Sequence, residues 1–198
     1  MKIATLYKIK LKQEKNKLSK IEDPIYLYKY ALNTKNIEIL NFIIDKLTKL
    51  KSIHFLFLCA SDIENINISK IEDSIISLGG YKYLPDFASY IKGTNITKIE
   101  DALINYGNVE YIINFINNVK EANKEKIQNY IIESNDPKKI YTFIRETKYN
   151  DIIKTSVNNQ YLNIAVETNL ISGHDQFKII EYDIKPPETN KQKTLKKT

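Results

Sequence analysis

The chain is poor in the residues from which catalytic and metal sites are usually built. Of its 198 residues none is tryptophan, one is cysteine, one is arginine and two are histidines. A single cysteine, Cys59, excludes an internal disulfide and a thiolate metal cluster, and suits a reducing compartment. His54 and His174 each lack a second histidine four residues on, so a metal site would have to draw ligands from distant segments. Both read as structural or exposed, and no metal is implied. Gly79-Gly80 is not followed by Lys-Ser/Thr, so nothing matches a phosphate loop. There is no Gly-x-Ser-x-Gly, and Cys59 falls on an apolar pattern, which leaves no nucleophile. No hydrophobic run is long enough to span a bilayer, and the lysine-dotted start has no apolar signal-peptide core. The reading is a soluble, intracellular, non-enzymatic protein without a cofactor.

What is present is a repeat. Ser69-Lys70-Ile71-Glu72-Asp73 returns as Thr97-Lys98-Ile99-Glu100-Asp101 and, more loosely, as Glu125-Lys126-Ile127-Gln128-Asn129, at steps of 28 residues. Leu84, Ile112 and Ile140 keep that step, as do Phe87, Phe115 and Phe143, with Asn67, Asn95 and Asn123 in the connecting turns. Self-similarity at this period marks a stack of small units that bury a continuous core only together.

Each unit reads as two helices. Ser69 with Glu72, and Thr97 with Glu100, have the spacing of capping boxes, the hydroxyl accepting from a first-turn amide and the carboxylate from the cap's own N–H. Helix A then carries one apolar stripe per unit (Ile71, Ile75, Ile76; Ile99, Leu103, Ile104; Ile127, Ile131, Ile132). It ends at Gly79-Gly80, Gly107-Asn108 or Asn135-Asp136, residues suited to a left-handed cap. Helix B follows, with Asp136-Pro137 as cap and first helical residue, and with Ile112, Phe115, Ile116 and Val119 at i, i+3, i+4, i+7. Pro85 aligns with Ile113 inside helix B, so that helix should start late or bend. Ile37 to Leu47 reads as the A helix of an earlier, drifted unit, with Phe55, Leu56, Cys59, Ala60 and Ile63 on its partner.

The flanks depart from the rule. Residues 1–20 alternate Ile3, Thr5, Tyr7, Ile9, Leu11 in strand-like fashion. Ser19 and Glu22 repeat the capping box before a short helix, Ile25 to Leu32, and Asn33 to Asn36 form a turn. The helical repeat domain is expected over 21–170, its last hairpin from Asp151–Val157 and Tyr161–Val166. Residues 171–198 hold a second strand-like stretch, Phe177 to Ile184, and a polar tail from Glu188. The two strand-like ends are expected to pair with each other or with another chain. The fold class is therefore all-α, an α-solenoid of HEAT-like stacked hairpins with short strands at its two ends.

Charge is distributed unevenly. Residues 1–20 carry seven lysines against Glu14, residues 185–198 five against Glu188, while the remainder holds 18 basic and 22 acidic side chains. The basicity thus belongs to the ends. Lys8, Lys10, Lys12, Lys191, Lys193, Lys196 and Lys197 could neutralise phosphate without reading sequence. A body that is slightly acidic, with Arg145 as its lone arginine, provides poorly for bidentate recognition of phosphate or guanine. The pairs Glu72-Asp73 and Glu100-Asp101 resemble acid/base dyads, but capping and the helix N-terminus already account for them. Among the fourteen tyrosines, Tyr83, Tyr111 and Tyr141 fall near the starts of successive B helices. They suit partner binding, although tyrosine also finishes a helix-hairpin core with its hydroxyl kept wet.

The unit formed by Lys98-Ile99-Glu100-Asp101-Ala102-Leu103-Ile104, Gly107-Asn108, Glu110-Tyr111-Ile112, Phe115 and Val119-Lys120, with the linker Lys92-Gly93-Thr94-Asn95-Ile96, resembles the 28-residue helical-hairpin repeat of giant DNA viruses of the mimivirus type and of some AT-rich bacteria. The resemblance covers about Ile37 to Thr147; Pro85 and the linker Glu121-Ala122-Asn123-Lys124 depart from it. It implies an α-solenoid, located in host cytoplasm or virion if viral, and brings no catalytic residues. The favoured function is a protein–protein interaction or scaffold module; the alternative is a nucleic-acid-associated protein acting through the basic ends.

Overall fold

The computed structural model describes residues 3–147, whose regular secondary structure is all helical, with no strand among them. Ten α-helices follow in order: α1 (Ile3–Ser19), α2 (Pro24–Leu32), α3 (Ile37–Lys49), α4 (Ile53–Asp62), α5 (Ile68–Ser77), α6 (Leu84–Tyr90), α7 (Ile96–Tyr106), α8 (Val109–Asn118), α9 (Lys124–Glu133) and α10 (Pro137–Glu146). Within hairpins α3 packs on α4, α7 on α8 and α9 on α10. Between hairpins α1 packs on α3, α3 on α5, α2 on α4, α6 on α8 and α8 on α10.

The 28-residue step reappears in the backbone itself. Lys51, Gly79, Gly107 and Asn135 stand one step apart and all adopt left-handed φ, of 54°, 72°, 78° and 50°. That conformation lets the chain leave each A helix and begin the B helix within two residues. One residue later come Ser52, Gly80, Asn108 and Asp136, the N-caps of the B helices. Asn108 accepts from the Glu110 and Tyr111 amides, and Asp136 from those of Lys138 and Lys139. Gly80 has no side chain to offer, and a Cβ there would lie 2.8 Å from Ile75 Cγ2. Its helix opens as a 3-10 turn, Tyr81–Tyr83, and α6 begins only at Leu84 with Pro85 in its first turn, the late start that Pro85 implies.

The apolar stripes form one core. Ile71, Ile75, Leu84, Phe87, Ile99, Leu103, Ile112, Phe115, Ile127, Ile131, Ile140 and Phe143 are all buried, with the three phenylalanines fully so. Phe57 meets Phe87 edge-on at 5.7 Å, joining α4 to α6. Ile37 is the one member of the α3 stripe left out, at 58 % exposed.

The segment read as an N-terminal strand is a helix. Two-residue alternation runs only from Ile3 to Leu11, whereas Lys, Gln, Glu and Leu dominate Lys8 to Leu18 and all favour helix. Leu11 and Leu18, seven residues apart, pack into the core, and the Tyr30 hydroxyl donates to Glu14 at 2.6 Å. The segment Ile3–Ser19 therefore contributes the first helix of a hairpin with α2, and the pairing or self-association expected of an N-terminal strand has no strand to act through among the described residues. The hairpin from Asp151, the stretch Phe177–Ile184 and the tail lie outside the described residues.

Candidate interaction surface

The joints between hairpins position everything on the surface, and their chemistry differs from the capping boxes expected. The caps of α5, α7 and α9 are Asn67, Asn95 and Asn123, whose Oδ1 atoms accept from the Lys70, Lys98 and Lys126 amides at 3.0, 3.1 and 3.1 Å. Ser69 and Thr97 sit exposed inside the first turn. Asp23, not Ser19, caps α2. Relieved of capping, Glu72 and Glu100 are buried, 0 % and 3 % exposed, and reach into the next unit. Glu72 accepts from the Asn95 N–H at 2.7 Å, and Glu100 from the Asn123 N–H at 2.8 Å.

A lysine completes each joint. Lys98 Nζ lies 3.4 Å from Glu72 and 2.6 Å from Asp73, and Lys126 pairs with Glu100 at 3.0 Å and with Asp101. Lys70 meets Asp45 at 2.8 Å and the Asn41 carbonyl at 3.1 Å. Burial pulls the Lys98 ammonium down, but the Asp73 bond and the charges of Asp73 and Glu72 outweigh it and hold Lys98 above the ordinary lysine range. For Lys126 the bonds to Asp101 and Glu100 dominate, with the same upward result. In each of these two joints one ammonium and one amide thus tie a pair of neighbouring carboxylates to the next hairpin.

Across one joint the tyrosines form a row. Tyr81, in the 3-10 turn, stacks on Tyr106 at the end of α7 with ring centroids 4.1 Å apart and planes 14° apart. Tyr106 in turn lies 6.1 Å from Tyr111 in the first turn of α8, at 9°. Tyr106 is 52 % exposed, so the middle residue of the row is accessible to a partner. Gly107 makes room for the adjacent Tyr130 hydroxyl, which would lie 3.1 Å from any Cβ there. Of the tyrosines singled out from sequence, Tyr111 belongs to this row. Tyr83 lies instead beneath the Lys82 ammonium, 4.9 Å from its ring centre, and the Tyr141 side chain lies outside what is described. Tyr81 and Tyr106 share no position in the 28-residue register, so spacing alone does not single them out.

Two open grooves run beside the joints. One, of about 570 Å³, lies among Ile116, Val119, Lys120 and Thr147; the other, of about 420 Å³, lies among Ile104, Asn123, Lys126 and Tyr130. Among the described residues no three His, Cys, Asp or Glu side chains come together as a metal site, and no helix is long and apolar enough to cross a membrane. Cys59 is buried, and burial first, with Asp62 second, pushes its thiol up to about 12. Lys8, Lys10 and Lys12 are exposed on α1, but a helix turns 100° per residue, so Lys10 projects away from Lys8 and Lys12 and the three make no single comb. Lys191, Lys193, Lys196 and Lys197 lie outside the described residues.

Comparison with known proteins yields no match to this chain, whether to a family, to a curated sequence or to a solved structure.

Proposed function

We propose that this chain is a non-catalytic protein–protein interaction or scaffold module, an α-solenoid of HEAT-like hairpins that presents the stacked tyrosine edge to a protein partner. The observation that carries the reading is the row Tyr81–Tyr106–Tyr111, built from two successive hairpins and exposed at its centre. Rigid aromatic rings, already ordered by stacking on one another, lose little freedom on binding and are the side chains most enriched at interface hot spots. The joints support the same reading, because they lock neighbouring hairpins through buried groups and so hold a surface residue of one unit in fixed relation to the next. The resemblance to the giant-virus repeats implies the α-solenoid and brings no catalytic residues, and an intracellular setting agrees with the lone buried thiol.

The nucleic-acid alternative gains little from α1, where the lysines are spread around the helix. A pull-down from the native source separates the two. Wild type should retain a protein that the Tyr106→Ala and Tyr81→Ala variants lose by about tenfold or more, at salt concentrations that abolish non-specific nucleic-acid binding. Retention of the same proteins by both variants, or of nucleic acid alone, would overturn the proposal.

A further inference from the structure

Nine large hydrophobic side chains are exposed among the described residues, and six of them, Leu6, Tyr7, Ile9, Ile25, Tyr26 and Leu32, belong to α1 and α2. Among the described side chains of the seven helices after α3, only Tyr90 and Tyr106 are exposed in this way. The α1–α2 hairpin has no described neighbour ahead of it, and a face left outermost in a repeat stack is ordinarily polar, so this concentration runs against the expected pattern. On α1 the helical period separates two faces. Leu11 and Leu18 pack inward, while Leu6 and Ile9 lie on the opposite side, bordered by Lys10 and Lys17 along one flank and Lys12 along the other.

Charge decides what could cover that face. The lone acid of α1, Glu14, is engaged by the Tyr30 hydroxyl, which leaves the exposed flanks basic. The joints inside the chain supply a rule as well. Lys46 meets Glu22, Lys70 meets Asp45, Lys98 meets Glu72 and Asp73, and Lys126 meets Glu100 and Asp101, each time a lysine with a carboxylate of the preceding unit; only Lys15 with Glu38 runs the other way. Whatever sits ahead of α1 should therefore bring carboxylates. A second copy docked head to head would set lysines against lysines. The last described A helix, α9, carries Gln128 and Asn129 in the places of Glu100 and Asp101, so a second copy seated through that helix would bring no such carboxylate pair. The chain's own end, residues 185–198, is basic.

We infer that the outer face of the α1–α2 hairpin docks an acidic amphipathic helix of another protein, its apolar stripe on Leu6, Ile9 and Tyr26 and its carboxylates toward Lys10, Lys12 and Lys17. This rests on the reading of the chain as an interaction module, at a surface separate from the tyrosine row. The test uses the full chain and a displayed library of helical peptides, about six turns long, with a fixed Leu/Ile stripe and flanks randomised among acidic, basic and amide residues. Acid-flanked peptides should be enriched, their affinity should fall as salt rises, and Ile9→Asp or Tyr26→Asp, with unchanged helical circular dichroism, should weaken them about tenfold or more. Tyr106→Ala should leave them unaffected. Enrichment that ignores flank charge, binders that survive Ile9→Asp, or no enrichment at all would overturn the inference. So would a dimer in sedimentation that Ile9→Asp dissociates, or binding to phosphatidylserine-rich vesicles in place of peptide. If peptide docking fails while Tyr106-sensitive capture persists, only this inference falls; if both fail, the interaction reading falls with it.

Discussion

Replacing Glu72 by alanine should destabilise the protein by about 2–4 kcal/mol, and the geometry sets the size. The carboxylate is fully buried and accepts from the Asn95 amide at 2.7 Å. A hydrogen bond to a charged group contributes about 1.5–3 kcal/mol, and a donor left unsatisfied out of water costs about 1–3 kcal/mol. Lys98 is not stranded by the change, because Asp73 still holds it at 2.6 Å, so the larger penalty for an unpaired buried charge does not apply. Glu72→Gln keeps an acceptor for the Asn95 N–H and loses only the charge, so about 1 kcal/mol is expected. Asp73→Ala, at a side chain 66 % exposed, should cost under about 1 kcal/mol. Urea denaturation followed by circular dichroism measures all three, and hydrogen exchange at the Asn95 amide reports the joint directly. An Asn95 amide equally protected in Glu72→Ala, or a loss no larger than that of Asp73→Ala, would refute the idea that the buried glutamate fastens one hairpin to the next.

Other consequences can be measured on the same protein. Phe115→Ala should cost about 3–5 kcal/mol, as for a fully buried aromatic, while Lys193→Ala should leave the urea midpoint unchanged. Lys51→Gly should raise the melting temperature, because Lys51 occupies the left-handed position that glycine fills at 79 and 107 and a side chain there costs about 1 kcal/mol; a lower melting temperature would contradict this. Tyr28 and Tyr30 are each held up to about 12, first by hydrogen bonds to Asp62 and Glu14, then by burial and the same carboxylates' charge. The stability these phenols contribute is complete below the ordinary tyrosine pKa of about 10 and is lost as pH rises from there toward 12. The double variant Tyr28→Phe/Tyr30→Phe should show a flatter stability profile over that alkaline window. Cys59, buried and with its thiol pushed up, should react with a thiol reagent only at the rate of unfolding.

The sequence made the period, the core and the left-handed exits legible, because glycine, asparagine and regularly spaced aliphatics carry those signals in their own chemistry. Lys51 escaped notice because lysine does not announce a left-handed turn; only its distance from Gly79 does. The cap assignment failed for an instructive reason. Ser69 with Glu72 fits the spacing of a capping box, yet the third unit has Glu125 where a hydroxyl would be needed, whereas Asn67, Asn95 and Asn123 appear in all three. Only an acceptor present in every unit could serve every unit, and that is where the structure puts the caps. The consequence for Glu72 and Glu100 could not be seen locally, since their partners lie 23 residues on. The N-terminal alternation misled because five residues of pattern weigh less than a longer run of helix formers with two leucines seven residues apart. The tyrosine row depends on ring stacking between Tyr81 and Tyr106, residues that occupy no common register position, so spacing selected Tyr83 beside Tyr111 instead.

The most direct test of the stacked-hairpin account is to insert a second copy of residues 95–122 directly after residue 122. Every register position is then kept: the new Lys98 meets the old Glu100 and Asp101, and the new Glu100 meets Asn123 and Lys126. A stack held by nearest-neighbour joints should accept the extra unit, unfold in one cooperative transition at an unchanged or higher urea midpoint, and gain helical signal in proportion to one added hairpin. An insert shortened by three residues should abolish cooperative unfolding. If the full-length insert also unfolds without cooperativity, or if the two inserts behave alike, the 28-residue unit is not what holds this protein together.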